Sequence, residues 1–149
     1  MRFIRSLLTR KGKPIDFSLM EKKIETICKK YHLDLFYLFG GYAKGTTTSL
    51  SDLDLAFYAR RKVEELDLFV ELMNLFGEEA IDLVDLRKAP VALIHRVLKE
   101  GKCLYATDVK IKIDFECRME SEYFDTQWMR DEYFEQMIGR IENGTYGIG

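Results

Sequence analysis

The sequence has no long apolar run, no closely spaced cysteine pair and no excess of basic residues. No apolar stretch approaches the ~20 residues that a membrane-spanning helix needs, so we expect no membrane partner. The formal net charge of -2 gives no general attraction to a polyanion, so we expect no direct nucleic-acid binding. The three cysteines Cys28, Cys103 and Cys117 are odd in number and widely spaced, which predicts free thiols and a cytoplasmic location.

The chain does have enough apolar residues to form a folded domain. It contains 149 residues, of which 47% are hydrophobic, and this length is typical of one domain with its own core. We divide it into a basic N-terminal arm (1–15), a core (16–107) and a helical C-terminal extension of the same domain (108–149). These totals are also compatible with a homo-oligomer.

Apolar periodicity predicts the order α, β, β, α, β, α, β and then a long helical segment. The predicted helices are 17–32, 63–76, 90–100 and 108–142, the last with a break near Asp125-Thr126, and the predicted strands are 34–40, 53–59, 80–87 and 103–106. This pattern predicts a small α/β (α+β) domain, in which helices pack on one side of a mixed sheet of about four strands.

The stretch "GGYAKGTTTSLSDLDL" combines a flexible loop with two carboxylates. Gly40-Gly41 ends a predicted strand, and glycine lets backbone N–H groups approach an anion closely. Lys44 adds a cation, and Thr46 and Ser51 add hydroxyl groups, so the loop is a candidate phosphate-binding loop. A glycine pair in this position is also compatible with an ordinary tight turn.

Asp52 and Asp54 are two residues apart at the start of a predicted strand, so both side chains point to the same side. Two carboxylates that close repel each other unless a cation lies between them. Mg²⁺ is the expected cation, because it prefers hard oxygen ligands and phosphate oxygens. The alternative is a solvated strand entrance.

Taken together, these features resemble the G-S-x10-D-x-D signature of the DNA-polymerase-β-like nucleotidyltransferases. That family requires a third carboxylate on a neighbouring strand, and "AIDLVDL" offers Asp82 and Asp85. The two are an odd number of residues apart and cannot both face the site, and Asp82 lies mid-strand, where the family's third acid falls. The resemblance implies that Asp52, Asp54 and Asp82 are catalytic and hold two Mg²⁺ ions, with ATP as substrate.

Two further stretches, "VDLRKAPVALIHRVLKEGKCLYATD" and "DEYFEQMIGRIENGTYG", resemble the minimal nucleotidyltransferases called MntA. Members of that group are antitoxins paired with a HEPN-domain ribonuclease toxin, HepT, and transfer AMP from ATP onto a tyrosine of the toxin. The resemblance implies an adenylyltransferase antitoxin with a HEPN toxin as its protein partner.

One position departs from the family pattern. Gly41 stands where the family has serine, which removes one hydroxyl donor to the phosphates and costs on the order of 1.5–3 kcal/mol. With all three carboxylates present, we expect a slower or retuned enzyme. The alternatives are an antitoxin that neutralises its toxin by binding alone, and a nucleotidyltransferase with a small-molecule acceptor.

Several conspicuous side chains are not assigned to catalysis. His95 lies on a predicted helix among apolar residues, which favours a surface or half-buried structural position. Trp128, Tyr123 and Tyr133 fit either the core or a helix that faces a partner.

Overall fold

The computed structural model describes residues 7–8, 14–15, 17–40, 53–77 and 81–142. The strands in these ranges are β1 (Leu7–Leu8), β2 (Pro14–Ile15), β3 (Leu35–Phe39), β4 (Leu53–Tyr58), β5 (Ile81–Asp85) and β6 (Lys102–Ala106). The helices are α1 (Phe17–Lys30), α2 (Glu65–Phe76), α3 (Val91–Glu100), α4 (Val109–Asp125) and α5 (Gln127–Glu142). Every predicted helix and strand is present, and the predicted break in the last helix falls at Thr126, between α4 and α5. None of the described helices is both long enough and apolar enough to span a bilayer.

The main sheet is mixed, as predicted, and has the strand order β5-β4-β3-β6. β3 pairs antiparallel with β4 and β6, whereas β4 and β5 are parallel. A parallel pair needs a crossover connection, and α2 lies within it. α2 ends at Gly77, which has a φ of 65° and donates its N–H to the Met73 carbonyl over 2.9 Å. β1 and β2 form a separate two-stranded antiparallel sheet within the predicted N-terminal arm.

Helices cover both faces of the main sheet, and in this detail the expectation of helices on one side was wrong. On one face, α1 and α2 bury residues such as Ile24 and Leu68 against β3 and β4. On the other face, Ile94 of α3 and Phe115 of α4 pack against alternate residues of the same two strands. All five residues of β3 are consequently buried, as expected for a strand with cover on both sides.

At the end of the sheet where β3 begins, a buried carboxylate connects neighbouring strands. Asp34 accepts hydrogen bonds from the Arg60 backbone N–H over 2.9 Å and from its guanidinium over 3.1 and 3.2 Å. This contact raises the pKa of Arg60. Asp34 also donates its N–H to the Tyr58 carbonyl, and its carbonyl accepts from Thr107. The contacts fix the ends of β3, β4 and β6 relative to one another.

The cysteines are free thiols, as predicted. Burial raises the pKa of Cys28, and it raises the pKa of Cys103 to about 11. Both thiols are therefore protonated near neutral pH, while Cys117 lies exposed on α4.

The core between the sheet and helices α3 and α4 allows a prediction about stability. Phe115 on α4 is only 3% exposed and packs on Tyr58, with ring centroids 4.3 Å apart. We expect Phe115→Ala to lower the free energy of unfolding by about 3–5 kcal/mol, because it leaves a cavity between helix and sheet. The matched control is Ile113→Ala on the same helix, where the side chain is 53% exposed and the change should stay within about 0.5 kcal/mol. Equal effects of the two substitutions in urea unfolding would contradict the two-sided core.

Candidate active site

Two of the predicted carboxylates are direct neighbours at one edge of the main sheet. Asp54 of β4 pairs in register with Asp82 of the parallel strand β5, and with Phe39 of β3 on its other side. Neighbouring strands lie about 4.8 Å apart. Because paired residues of parallel strands point to the same face, the Asp54 and Asp82 side chains lie side by side on the face covered by α3 and α4. Asp54 is half-buried and Asp82 is exposed.

Gly40 packs directly against the Asp54 carboxylate. It follows β3 with a φ of 73°, a left-handed conformation that side chains with a Cβ rarely adopt. A Cβ at this position would overlap Asp54 Oδ2 and lie 2.9 Å from Asp54 Cγ. The absence of a side chain therefore allows the chain to leave the strand while the Asp54 carboxylate stays beside it. This contact was not foreseen from the sequence, which indicated only a phosphate-binding role for Gly40.

Asp85, the alternative third carboxylate, has a different environment. It pairs in register with Phe57, whose side chain belongs to the opposite core. Its Oδ1 accepts a hydrogen bond from the Arg87 backbone N–H over 2.9 Å, and its carbonyl accepts from Lys88 and Ala89. Asp85 thus stabilises the turn that leaves β5.

The pair of carboxylates is suited to a divalent cation. Asp82 makes no hydrogen bond or ion pair with other residues that the structure describes. A like charge lies on the adjacent strand, so a cation between Asp54 and Asp82 would remove their repulsion. Both groups offer the hard oxygen ligands that Mg²⁺ prefers. Among the described ranges alone, no group of three or more His, Cys, Asp or Glu side chains could hold a metal ion.

The remaining predicted site residues lie outside the described residues. They are Gly41, Lys44, Thr46, Ser51 and Asp52, all within the connection from Gly40 to β4. Because β3 and β4 are antiparallel neighbours, this connection begins and ends at the sheet edge that carries Asp54 and Asp82. The assignment of phosphate contacts and of Asp52 as a metal ligand stays a prediction.

His95 takes part in a stack that joins three helices. Its Nδ1 donates to the Glu120 carboxylate over 2.9 Å, and its ring lies on Tyr123 with centroids 3.7 Å apart. The Arg130 guanidinium of α5 lies 3.9 Å from the centroid of the same Tyr123 ring. These packing contacts account for the partial burial of His95. They agree with the half-buried structural position predicted for it.

Comparison with known proteins identifies the chain's relatives. The family described as Polymerase beta, Nucleotidyltransferase matches residues 22–110, a range that contains Gly40, Asp54 and Asp82. The chain belongs to this family. The mixed sheet with its helices is accordingly a polymerase-β-like nucleotidyltransferase fold, which confirms the fold class predicted from the sequence.

Individual relatives carry more specific names. The protein adenylyltransferase MntA of Shewanella oneidensis is 37% identical over 78 residues, which are 50% of this chain and 55% of that protein. The matched part thus spans about half the length of this curated relative. A solved toxin–antitoxin structure with AMP-PNP matches with a TM-score of 0.68 and 30% identity, covering 79% of this chain and 98% of that one.

A second solved structure is the tri-AMPylated Shewanella oneidensis HEPN toxin in complex with an MNT antitoxin. It matches with a TM-score of 0.64 and 28% identity, covering 82% of this chain and 98% of that chain. The MntA resemblance seen in the sequence is therefore confirmed by structural matches that cover 79% and 82% of this chain.

Proposed function

We propose that this chain is a Mg²⁺-dependent adenylyltransferase antitoxin that transfers AMP from ATP to a tyrosine of a partner HEPN toxin. The observation that carries the proposal is the in-register pair Asp54 and Asp82 beside Gly40, in a chain of the nucleotidyltransferase family. A relative's complex with AMP-PNP supports ATP as substrate, and a relative's tri-AMPylated toxin supports a protein acceptor.

The reaction joins the tyrosine oxygen to the α-phosphorus and breaks the bond between the α- and β-phosphates, so pyrophosphate leaves. Mg²⁺ ions held by Asp52, Asp54 and Asp82 would neutralise phosphate charge and lower the pKa of the attacking hydroxyl. A carboxylate oxygen of Asp82 takes the tyrosine proton, since Asp82 is the exposed member of the described pair. Gly40 keeps Asp54 in position by leaving room for its carboxylate.

The remaining role in the reaction is to bind the triphosphate of ATP. Backbone N–H groups from Gly40 onward, together with Lys44, Thr46 and Ser51, bind the triphosphate in this proposal. The glycine at position 41 contributes no hydroxyl donor, so the enzyme runs more slowly than a relative with serine there.

The test is label transfer from ATP onto a cognate HEPN toxin, a HEPN-domain protein encoded beside this chain. With Mg²⁺ and α-³²P-ATP we expect label on the toxin, and with γ-³²P-ATP none, because the γ-phosphate leaves within pyrophosphate. A chelator should abolish the transfer. Silencing of the toxin without label would favour neutralisation by binding alone. Label only on an added small alcohol, such as an aminoglycoside, would favour the small-molecule alternative.

A further inference from the structure

Helix α5 stands out because none of its side chains is buried. Seven of the twelve exposed large apolar side chains in the described part of the chain lie between positions 124 and 141. Scattered exposed apolar residues are normal, but a contiguous group of this size marks a binding surface.

Five apolar residues of α5 form one face of the helix. Tyr133, Phe134, Met137, Ile138 and Ile141 follow one another at the spacing i, i+1, i+4, i+5 and i+8, which places them in one stripe. We call these five residues the apolar stripe. Tyr133 is 63% exposed and Ile141 is 55% exposed, so the stripe is open along its length.

The helix is attached to the body of the protein through its first turn. Arg130 lies over the Tyr123 ring and donates hydrogen bonds to the Tyr123 carbonyl and, over 2.9 Å, to Thr126 Oγ1. Tyr123 in turn stacks on His95 of α3. The stack therefore sets the direction in which α5 leaves the core, and the apolar stripe begins beyond it.

The charges around the stripe restrict what can cover it. α5 carries two arginines and four carboxylates, and α4 carries three basic and five acidic side chains. Together they have a formal charge of -4, whereas the whole chain has -2. A second copy of this chain would bring like charge against like charge. An anionic membrane surface is repelled for the same reason.

We propose that the apolar stripe is the surface by which this chain docks onto its HEPN toxin, through an apolar groove of the toxin with basic residues at its rim. This inference rests on the proposed function, which supplies the partner. An amphipathic helix that places its apolar face in an apolar groove is a common mode of protein recognition. The acidic side chains of α4 and α5 then select a basic rim and speed the encounter at low salt.

The docking experiment compares two variants of α5 with the wild type, using purified cognate HEPN toxin. The first removes stripe residues (Tyr133→Ala/Phe134→Ala/Ile138→Ala). The matched control changes uncharged residues of the same helix outside the stripe (Gln127→Ala/Gln136→Ala) and leaves every acidic side chain in place. Because the stripe residues are exposed and alanine favours helix, thermal unfolding and circular dichroism of both variants should match the wild type.

We expect the stripe variant to raise the Kd for the toxin by at least about 30-fold, and the control to change it by less than about threefold. In the label-transfer assay the stripe variant should show a higher KM for the toxin with an unchanged kcat at saturation. The Kd of the wild type should rise with ionic strength, since the rim contacts are between charges.

Wild-type affinity in the stripe variant would overturn the docking inference, even if label transfer to the toxin proceeds normally. A wild-type chain that is dimeric by light scattering, with a monomeric stripe variant, would also overturn it in favour of self-association. Stripe-dependent binding without any label would instead support the docking surface and contradict the adenylyltransferase proposal.

Discussion

Asp82→Asn is expected to reduce adenylyl transfer by about 10²–10³-fold while leaving the free energy of unfolding nearly unchanged. The carboxylate is exposed and has no partner among the described residues, so within that part of the chain its removal disturbs no packing and breaks no hydrogen bond. It also removes one of two like charges on adjacent strands, which relieves repulsion when no cation is bound. In the proposed mechanism, the loss of rate follows because Asp82 would no longer serve as a metal ligand and proton acceptor. Initial rates with α-³²P-ATP and urea unfolding measure the two effects.

Asp85→Asn is the matched control, three residues further along the same segment. The amide oxygen of Asn can still accept from the Arg87 N–H, and only the ion pair with the exposed Lys88 is lost, so the free energy of unfolding should fall by less than about 1 kcal/mol. Label transfer should stay within about threefold of wild type, because register places Asp85 opposite Phe57 and not beside Asp54. A reversed pattern, with activity lost in Asp85→Asn and retained in Asp82→Asn, would make Asp85 the third carboxylate.

The choice between these two carboxylates shows what sequence reasoning supplies and what it cannot. The alternation of a strand already implies that Asp82 and Asp85 face opposite sides. Which of them lies beside Asp54 depends on the register between β4 and β5, and that is fixed by strand pairing across a crossover. The alternation of side chains along β5 does not reveal which residues of β4 lie beside them.

The two faces of the sheet give a second case. The elements and their order follow from apolar periodicity, which is local, but the side on which each helix packs is not local. One signal was available in the sequence: "LFYLF" is apolar without alternation, as is typical of a strand covered on both faces. The same run also fits a strand with one covered face and a few aromatic residues, so it did not decide the matter.

The apolar pattern of the C-terminal helical segment could be predicted only in part. Helical spacing predicts apolar side chains from Ile111 to Ile141 on a long segment, and Phe115 is indeed buried. The pattern does not distinguish a stripe covered by the same chain from one left for a partner. Only the position of α5, attached through its first turn, separates the two.

Gly40→Ala is expected to lower both stability and activity. The left-handed φ of 73° costs a residue with a Cβ on the order of 1–3 kcal/mol. The new methyl group would also overlap Oδ2 of Asp54, so either the loop or the carboxylate has to move. A displacement of about 1 Å at a reacting centre costs roughly 10²-fold in rate, and we expect a loss of that order in label transfer.

Gly77→Ala separates the two causes, because Gly77 shares the backbone strain without the steric contact. Its φ is 65°, and a Cβ there would meet no atom within 4 Å. It ends α2, which packs on the opposite face of the sheet from the Asp54 and Asp82 side chains. We therefore expect a destabilisation of about 1 kcal/mol and unchanged transfer. If Gly40→Ala lost no more activity than Gly77→Ala, the close packing of Gly40 on Asp54 would matter for folding alone. If only Gly40→Ala lost activity, the glycine would act by leaving room for a catalytic carboxylate, which would explain why a residue without a side chain follows β3.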